Sequence, residues 1–327
     1  MRLKQILQTR LALGGDITLA VVTDMDPVNI DKLFSHLWRQ VFMFERRFSR
    51  FLPMSELSMF NRSTGLKTPI TPEFRELLLR AQEYSLETGG LYNPFITPAL
   101  QKIGYLKSAL LGHERDTQLD YRDRRIVDVN CLAIGEDWAQ IPYKTAIDLG
   151  GCGKGYLADK LGQILRSYNV HGYWLSLGGD IATMGLNENG DKITVDIQNA
   201  NNLNATTDWV IECPAEHFSI ATSGTFRRVG QDNKQGWHHI IDPATEESAV
   251  TDIRLATICA ETALKADILA SCAIILGSEL APAFLKKHGI KSALLQCIDE
   301  NGVSFERRVG TLIHHMNSYH SREIVHA

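Results

Sequence analysis

No run of basic residues in this sequence is longer than a pair, as at Arg46-Arg47, Arg124-Arg125 and Arg227-Arg228. Displacing counterions from a nucleic acid takes a concentrated positive stripe, so these short pairs and a net charge of -4 argue against a nucleic-acid partner. Long apolar runs are missing too. No stretch reaches the roughly 18 apolar residues of a membrane span, the best candidate being the short run at 272–276, so no span is expected. Residues 1–10 alternate charged and apolar side chains without the apolar core and small-residue cleavage site of a signal peptide. Export is therefore not expected. Paired cysteines are also lacking: Cys131, Cys152, Cys213, Cys259, Cys272 and Cys297 stand far apart, with no Cys-x-x-Cys and no histidine at zinc-finger spacing. Buried thiols in a reducing compartment are the expectation.

What is present is an ordinary globular composition, 44% hydrophobic and 22% charged over 327 residues. That length suits one large domain, residues 1–327, made of two modest lobes sharing a core. Residues 17–22 read as a strand, and 28–48 as an amphipathic helix with Ile30, Leu33, Phe34, Leu37, Val41, Phe44 and Phe48 on one face. A helix over 71–88 starts at Thr-Pro-Glu-Phe and stops at Gly89-Gly90, where glycine accepts the left-handed cap. Residues 106–144 read as an irregular surface excursion without a functional motif. Beyond them the pattern predicts a strand end at 146–149, a helix over about 155–168, strands at 173–177, 193–197, 209–213, 218–221, 239–241 and 253–258, a helix over 263–276 and a last strand near 292–297. Strands in series with a few helices predict an α+β fold.

Three glycine- or hydroxyl-rich turns fall at strand ends. Asp148-Leu-Gly-Gly-Cys-Gly-Lys-Gly-Tyr156 lets backbone groups approach a ligand closely, phosphate being the natural candidate. It is not a Walker A loop, because Asp148 and Gly155 stand where that pattern needs Gly and Ser or Thr. Leu177-Gly-Gly-Asp180 and Ala221-Thr-Ser-Gly-Thr-Phe-Arg227 are the other two; each alone is an ordinary turn. Asp267 and Ser271 lie four residues apart, on one helix face, and offer a hard cation such as magnesium a carboxylate and a hydroxyl. His238-His239-Ile-Ile-Asp-Pro243 supplies a histidine able to take a proton near neutral pH, or simply a half-buried hydrogen-bonded one.

Taken in order, Phe48-Ser-Arg-Phe-Leu-Pro-Met-Ser-Glu-Leu-Ser-Met-Phe-Asn61, Gly89-Gly-Leu-Tyr-Asn-Pro94, residues 148–156, Leu177-Gly-Gly-Asp-Ile181, Ala221-Thr-Ser-Gly224, His239-Ile-Ile-Asp-Pro243 and Ala266-Asp-Ile-Leu-Ala-Ser271 resemble the FAD:protein FMN transferase (ApbE) family over nearly the whole chain. The resemblance implies a two-lobed α+β fold of mixed or antiparallel sheets flanked by helices, with FAD in the cleft between the lobes. It implies magnesium-dependent cleavage of the FAD diphosphate, attachment of FMN to a Thr or Ser of an acceptor flavoprotein, and release of AMP. Phe51, Leu91, Tyr92, Asn93, Asp148, Lys154 and Ile240 fall where family members contact FAD, and Leu13 where a family methionine sits near the flavin. Gly151 through its carbonyl, Asp267 and Ser271 fall on metal-ligand positions. His239 falls on the histidine that helps deprotonate the acceptor hydroxyl.

The chain departs from the family in several places. Asn93 replaces an Asp, Phe51 a Tyr and Ser271 a Thr, and Thr245-Glu-Glu-Ser248 stands where Thr-Gly-x-Pro is usual. Restoring the carboxylate with Asn93→Asp is expected to tighten FAD or magnesium binding, unless the surroundings have adapted to a neutral amide. Many relatives carry an export signal and a lipid-attachment cysteine; neither is seen here, which makes a cytoplasmic location the expectation. Two other activities remain open for the same residues, a magnesium-dependent FAD diphosphatase and a non-catalytic flavin-binding or delivery protein.

Overall fold

The computed structural model describes residues 3–106, 120–226, 228–232, 235–315 and 324–326. Internal packing divides the chain into two units, one of Met1–Phe42, Lys154–Gly224 and Asp252–Ala327, the other of Met43–Gly153 and Thr225–Thr251.

Period-two alternation builds the first unit around an eight-stranded sheet: Lys4–Ala12, Gly15–Thr23, Gly172–Leu177, Asp180–Gly185, Phe218–Gly224, Ile253–Ala260, Ser292–Ile298 and Ser304–Gly310. Neighbours in the sheet are neighbours in this order, and every pair is antiparallel. The first strand escapes a hydrophobic-pattern reading because it is an edge, with Leu7 and Leu11 exposed among charged and amide side chains. Its turn to the second strand places Leu13 and Gly14 both at positive φ, 54° and 83°, the backbone that a two-residue hairpin favours. Gly178 and Gly179, also at positive φ, make the corresponding turn before Asp180.

Each face of this sheet has its own cover. Helix α6, Ala263–Lys287, packs against the strands Phe218–Gly224 and Ile253–Ala260. A four-stranded sheet of Thr194–Asn199, Asn202–Glu212, Ile313–His315 and Ile324–His326 contributes Val195, Ile197, Ile211 and Ile313 to a core with Ile181, Ile220 and Leu294 of the large sheet. Alternation along one strand serves both: Ile220 enters that core, while Ser223 reaches α6.

Helix α6 corrects two expectations. It extends past residue 276, because Gly277 (φ 75°, ψ 168°) breaks the helix and Asp252 accepts from Ser278 N at 2.8 Å and Ser278 Oγ at 2.5 Å to restart it. It is also long and apolar enough to cross a membrane, with mean hydropathy 1.9 over its best window, since small residues between the apolar ones lengthen the stretch. Half of that window is buried against the rest of the protein. With the buried Asp267 within it and the break at Gly277, its packing is that of a core helix.

The second unit contains α2 (Glu56–Arg62), α3 (Pro72–Glu87) and α4 (Thr97–Lys102), with the last turns of α1 (Pro27–Phe48). Phe44, Phe48, Phe74 and Phe60 form a chain of ring contacts, with centroids 4.8 to 5.4 Å apart. The Thr71 hydroxyl caps α3 by accepting from Phe74 N at 3.3 Å, as its sequence signature predicts. A small sheet pairs Thr68–Pro69, Trp138–Gln140 and Ala133–Ile134, and two hairpins pair Val229–Asp232 with Gln235–His238 and Ile241–Asp242 with Glu247–Ser248. Of the strand expected at 239–241 only Ile241 is in a strand; the chain bends at His239, between the two hairpins.

Residues 120–144 are more than a surface excursion; 107–119 lie outside the described residues. Tyr121 is buried, and Arg124 Nη1 donates to the carbonyls of Asn61 and Thr145 at 3.0 and 2.6 Å. All six cysteines are thiols; five are buried as expected and Cys131 is exposed.

Helix α5, Gly153–Ser167, carries the tightest packing constraint near the glycine-rich segment. A Cβ on Gly155 would lie 2.5 Å from the Ala263 carbonyl oxygen, which is backbone and cannot swing away. Gly155→Ala is expected to destabilise the protein by about 1–3 kcal/mol, the usual range for overpacking. Urea unfolding monitored by circular dichroism measures it, and an unchanged midpoint would contradict the contact.

Candidate active site

The glycine-rich segment is held by a buried amide. Asn61, fully buried, accepts from Ile147 N at 2.9 Å and donates to Ile147 O at 2.8 Å, so one side chain satisfies both backbone groups of the residue before Asp148. Asp148 Oδ1 then accepts from Gly150 N at 2.7 Å and its Oδ2 lies 2.8 Å from Arg50 Nε. The glycines have separate reasons. A Cβ on Gly150 would meet Asp148 Oδ1 at 2.8 Å, whereas one on Gly151 would meet only the Tyr92 ring, at 3.7 Å. Gly151 is therefore the glycine of this turn that is not required by protein packing.

In the first unit, three sequence-distant segments converge. Lys154 forms an ion pair with Asp180, and its Nζ lies 3.9 Å from Asp267 Oδ2. Its stem passes the Gly178 turn, where a Cβ would stand 3.8 Å from Lys154 Cδ. Asp267 Oδ2 also accepts from Gly155 N at 3.4 Å, and one turn further along α6 Ser271 Oγ is 3.0 Å from Ser223 Oγ. Asp267 and Asp180 are both buried. Asp180 and Ser223 were not among the residues singled out as ligands, though both belong to the glycine- and hydroxyl-rich turns that the sequence displays. Leu13 occupies the left-handed region, a conformation that costs a residue with a branched side chain about 1–2 kcal/mol and that favours glycine.

The second unit holds the remaining candidates. Phe51 meets Tyr105 edge to face at 5.8 Å, and Tyr105 meets His239 at 6.2 Å. Arg50 lies over both Phe51 and Tyr105, at 4.3 and 4.5 Å from the ring centroids. Neither Arg50 nor Tyr105 stood out in the sequence as a site residue. Leu91 is partly buried and Tyr92 buried, with Tyr92 N donating to Thr88 Oγ1 at 3.2 Å. Ile240 is buried and its carbonyl accepts from Ala249 N at 2.9 Å.

Asn93 is committed at both ends of its amide. Oδ1 accepts from Phe95 N at 2.9 Å, capping the short turn at Pro94–Ile96, and Nδ2 donates to the Val127 carbonyl at 3.0 Å. A carboxylate in the same place would set an oxygen against that carbonyl. The surroundings are those of a neutral amide, the case in which Asn93→Asp is expected to weaken the site and not to improve it.

His238 is hydrogen-bonded through both its backbone and its ring. Its backbone N–H donates to Ser248 Oγ at 3.1 Å, its carbonyl accepts from the same hydroxyl at 2.6 Å, and Nε2 lies 3.1 Å from Ala249 O. The last contact requires a proton on Nε2. Burial holds the His238 pKa below its ordinary value, only partly offset by the Ala249 carbonyl.

Among the described residues no group of three or more His, Cys, Asp and Glu side chains is placed to hold a metal. Asp267 with the Ser271 and Ser223 hydroxyls is instead an all-oxygen set with one carboxylate. That composition fits a hard divalent cation that keeps water or phosphate oxygens as its other ligands, as magnesium does.

A family model described as "ApbE family" matches residues 13–295. Similar curated proteins include the FAD:protein FMN transferase of Treponema pallidum (strain Nichols), 27% identical over 250 residues, covering 71% of this chain and 68% of that one. The FAD:protein FMN transferase of Escherichia coli (strain K12) is 22% identical over 298 residues, covering 89% and 84%. Among solved structures, the apo form of the flavinyl transferase ApbE from Pseudomonas stutzeri matches with TM-score 0.80 at 19% identity, over 94% of this chain and 96% of that one. The flavin transferase ApbE from Vibrio cholerae matches with TM-score 0.76 at 22% identity, over 94% and 97%. These structures share the α+β fold described above.

Two outcomes follow from the committed polar groups. Asn93→Asp is expected to lower stability by about 1–3 kcal/mol near neutral pH, the cost of an unsatisfied buried polar group, with the deficit shrinking in acid as the new carboxyl regains a proton to donate. Thermal unfolding of both forms across pH checks this; equal midpoints at pH 7 would restore the opposite expectation. For His238, the unfolded chain takes up the proton first, because the folded pKa is the lower one. The stability from keeping it neutral is complete above its ordinary value of 6.5 and is lost as pH falls through that value toward the lowered one. His238→Gln, which retains a donor, should flatten the loss of melting temperature below about pH 6.5, and an unchanged slope would remove His238 from the account.

Proposed function

The chain belongs to the ApbE family, and on that premise we propose that it is a magnesium-dependent FAD:protein FMN transferase, splitting the FAD diphosphate and leaving FMN on a Thr or Ser of an acceptor flavoprotein. The observation that carries the reading is the meeting of Lys154, Asp180 and Asp267, from three separate segments, beside the Ser271–Ser223 pair. A lysine and a carboxylate–hydroxyl set at two helix starts suit a diphosphate and its counter-ion.

In this reading Lys154 binds diphosphate oxygen. Asp267 and Ser271 would hold magnesium, with the Gly151 carbonyl as the further protein ligand; when bound, the ion would neutralise diphosphate charge and favour departure of AMP. Phe51 supplies a stacking face for the flavin, and Leu13, Leu91, Tyr92, Asn93, Asp148 and Ile240 shape its surroundings through apolar contact and the backbone they fix. His239 takes the proton of the acceptor hydroxyl as that oxygen attacks the FMN phosphorus in line, forming the new phosphoester while the bond from phosphorus to the AMP oxygen breaks. Since Asn93 and Asp148 already have protein partners, their part is to hold the turns around the ligand.

The test is incubation with FAD, magnesium and a panel of flavoproteins, reading flavin fluorescence in denaturing gels and AMP in solution. Labelled acceptor with AMP supports transfer; AMP without labelling identifies a diphosphatase; neither product leaves a flavin-binding protein. Asp267→Ala is expected to cut AMP release on the order of 10²-fold or more, since a metal's charge stabilisation is worth several kcal/mol, while Ser271→Thr retains the ligand oxygen and is tolerated. His239→Ala is expected to slow transfer by about 10² to 10⁴-fold, the range for loss of a general base, with FAD affinity little changed. Normal transfer with poor FAD affinity would make His239 a binding residue instead.

A further inference from the structure

Arg50 is only 4% exposed, yet the reaction just described gives it no part. Its Nε lies 2.8 Å from Asp148 Oδ2 and its Nη2 donates to the Tyr105 carbonyl at 3.0 Å. Its planar face lies over Phe51 and Tyr105. Tyr105 in turn touches His239 edge to face and lies tilted against Trp237 at 6.4 Å. One guanidinium therefore contacts Asp148, Phe51 and Tyr105 directly, and reaches His239 through the Tyr105 ring.

A guanidinium offers five N–H donors in a rigid plane. Nη1 of Arg50 has no acceptor among the described residues although it is buried. Leaving a buried charged donor unsatisfied is unfavourable, and a cation kept only to hold the turn at Asp148 would gain from an acceptor in the fold. A donor fixed in direction by Asp148, Tyr105 and two rings, and still short of a partner, is suited to a ligand oxygen.

We infer that Arg50 is a positioning residue for FMN transfer: it locks Asp148 and the Phe51–Tyr105 pair into one rigid group, directs Nη1 to an oxygen of the flavin nucleotide, and sets His239 through Tyr105. The inference rests on the transferase reading. Lysine would preserve the charge beside Asp148 but offers neither a plane to lie over two rings nor a fork of donors.

The experiment compares wild type, Arg50→Lys and Tyr105→Leu by circular dichroism, FAD titration and single-turnover FMN transfer at saturating FAD across pH. Arg50→Lys is expected to keep the wild-type spectrum, bind FAD about tenfold more weakly for the lost charged hydrogen bond, and transfer more slowly even when saturated. Tyr105→Leu keeps the carbonyl that Arg50 uses; it is expected to bind FAD nearly as well, to transfer about tenfold more slowly through misplaced His239, and to show a displaced pH–rate profile. Wild-type affinity and rate in Arg50→Lys overturn the inference. Should that variant fail to fold, Tyr105→Leu decides: a wild-type rate with an unmoved pH profile overturns it, and a slow rate with a moved profile supports it. A wild-type protein that yields neither labelled acceptor nor AMP overturns the transferase reading and this inference together, whereas an active wild type beside unaffected variants overturns the inference alone.

Discussion

How closely the starts of α5 and α6 approach one another governs the polar site of the first unit. Gly155 leaves no space between them, and Asp159, one turn further along α5, accepts from Ala263 N at 2.8 Å and Leu264 N at 3.0 Å. One helix thus supplies both the missing side chain that permits the approach and the carboxylate that caps its neighbour. Two helix starts, each the positive end of its dipole, then lie together beside the Lys154 ammonium. Asp159, Asp180 and Asp267 supply negative charge there. Adding a diphosphate to that arrangement adds negative charge against Asp267, which is the electrostatic reason the proposed reaction calls for a divalent cation at that carboxylate.

Long periodic segments were legible from sequence because their side chains report their own burial. The strand Gly15–Thr23, the helix Pro27–Phe48, α3 and α5 all lie within a residue or two of the expected bounds. Elements whose limits depend on distant partners were not legible. The edge strand Lys4–Ala12 is defined by its neighbour's backbone, and α6 resumes beyond Gly277 because Asp252, far off in sequence, recaps it. The site divides similarly. Lys154 and Asp267 stood out by motif; Asp180 and Arg50 lie inside motifs that the sequence displays without being singled out there, and they and Tyr105 matter through contacts with residues tens of positions away.

The second unit shows why a single departure from a family pattern cannot be judged alone. Replacing Asp by Asn at position 93 looks like the loss of a charge. In place, the amide donates to one carbonyl and accepts from one amide, a pair of tasks that no carboxylate performs at neutral pH. Asp148 makes the converse point, since its charge is matched by the guanidinium of Arg50 and its second oxygen is used by Gly150 N. Each polar side chain here is fitted to the donor or acceptor it meets.

The order of strands in the large sheet has a consequence for assembly. Adjacent strands follow one another along the chain, but the second and third are separated by most of the other unit: Ile17 pairs with Leu177, roughly 160 residues away, a closure whose entropy grows only logarithmically with length. Enlarging or trimming the intervening segment therefore changes equilibrium stability little, each doubling costing about 0.6 kcal/mol. The kinetic effect is larger, because the sheet's centre cannot zip until remote ends meet, and the exposed early hairpin must wait for them. Such a topology tolerates variation in the inserted unit while making the time of folding, more than its final free energy, the quantity that such variation alters.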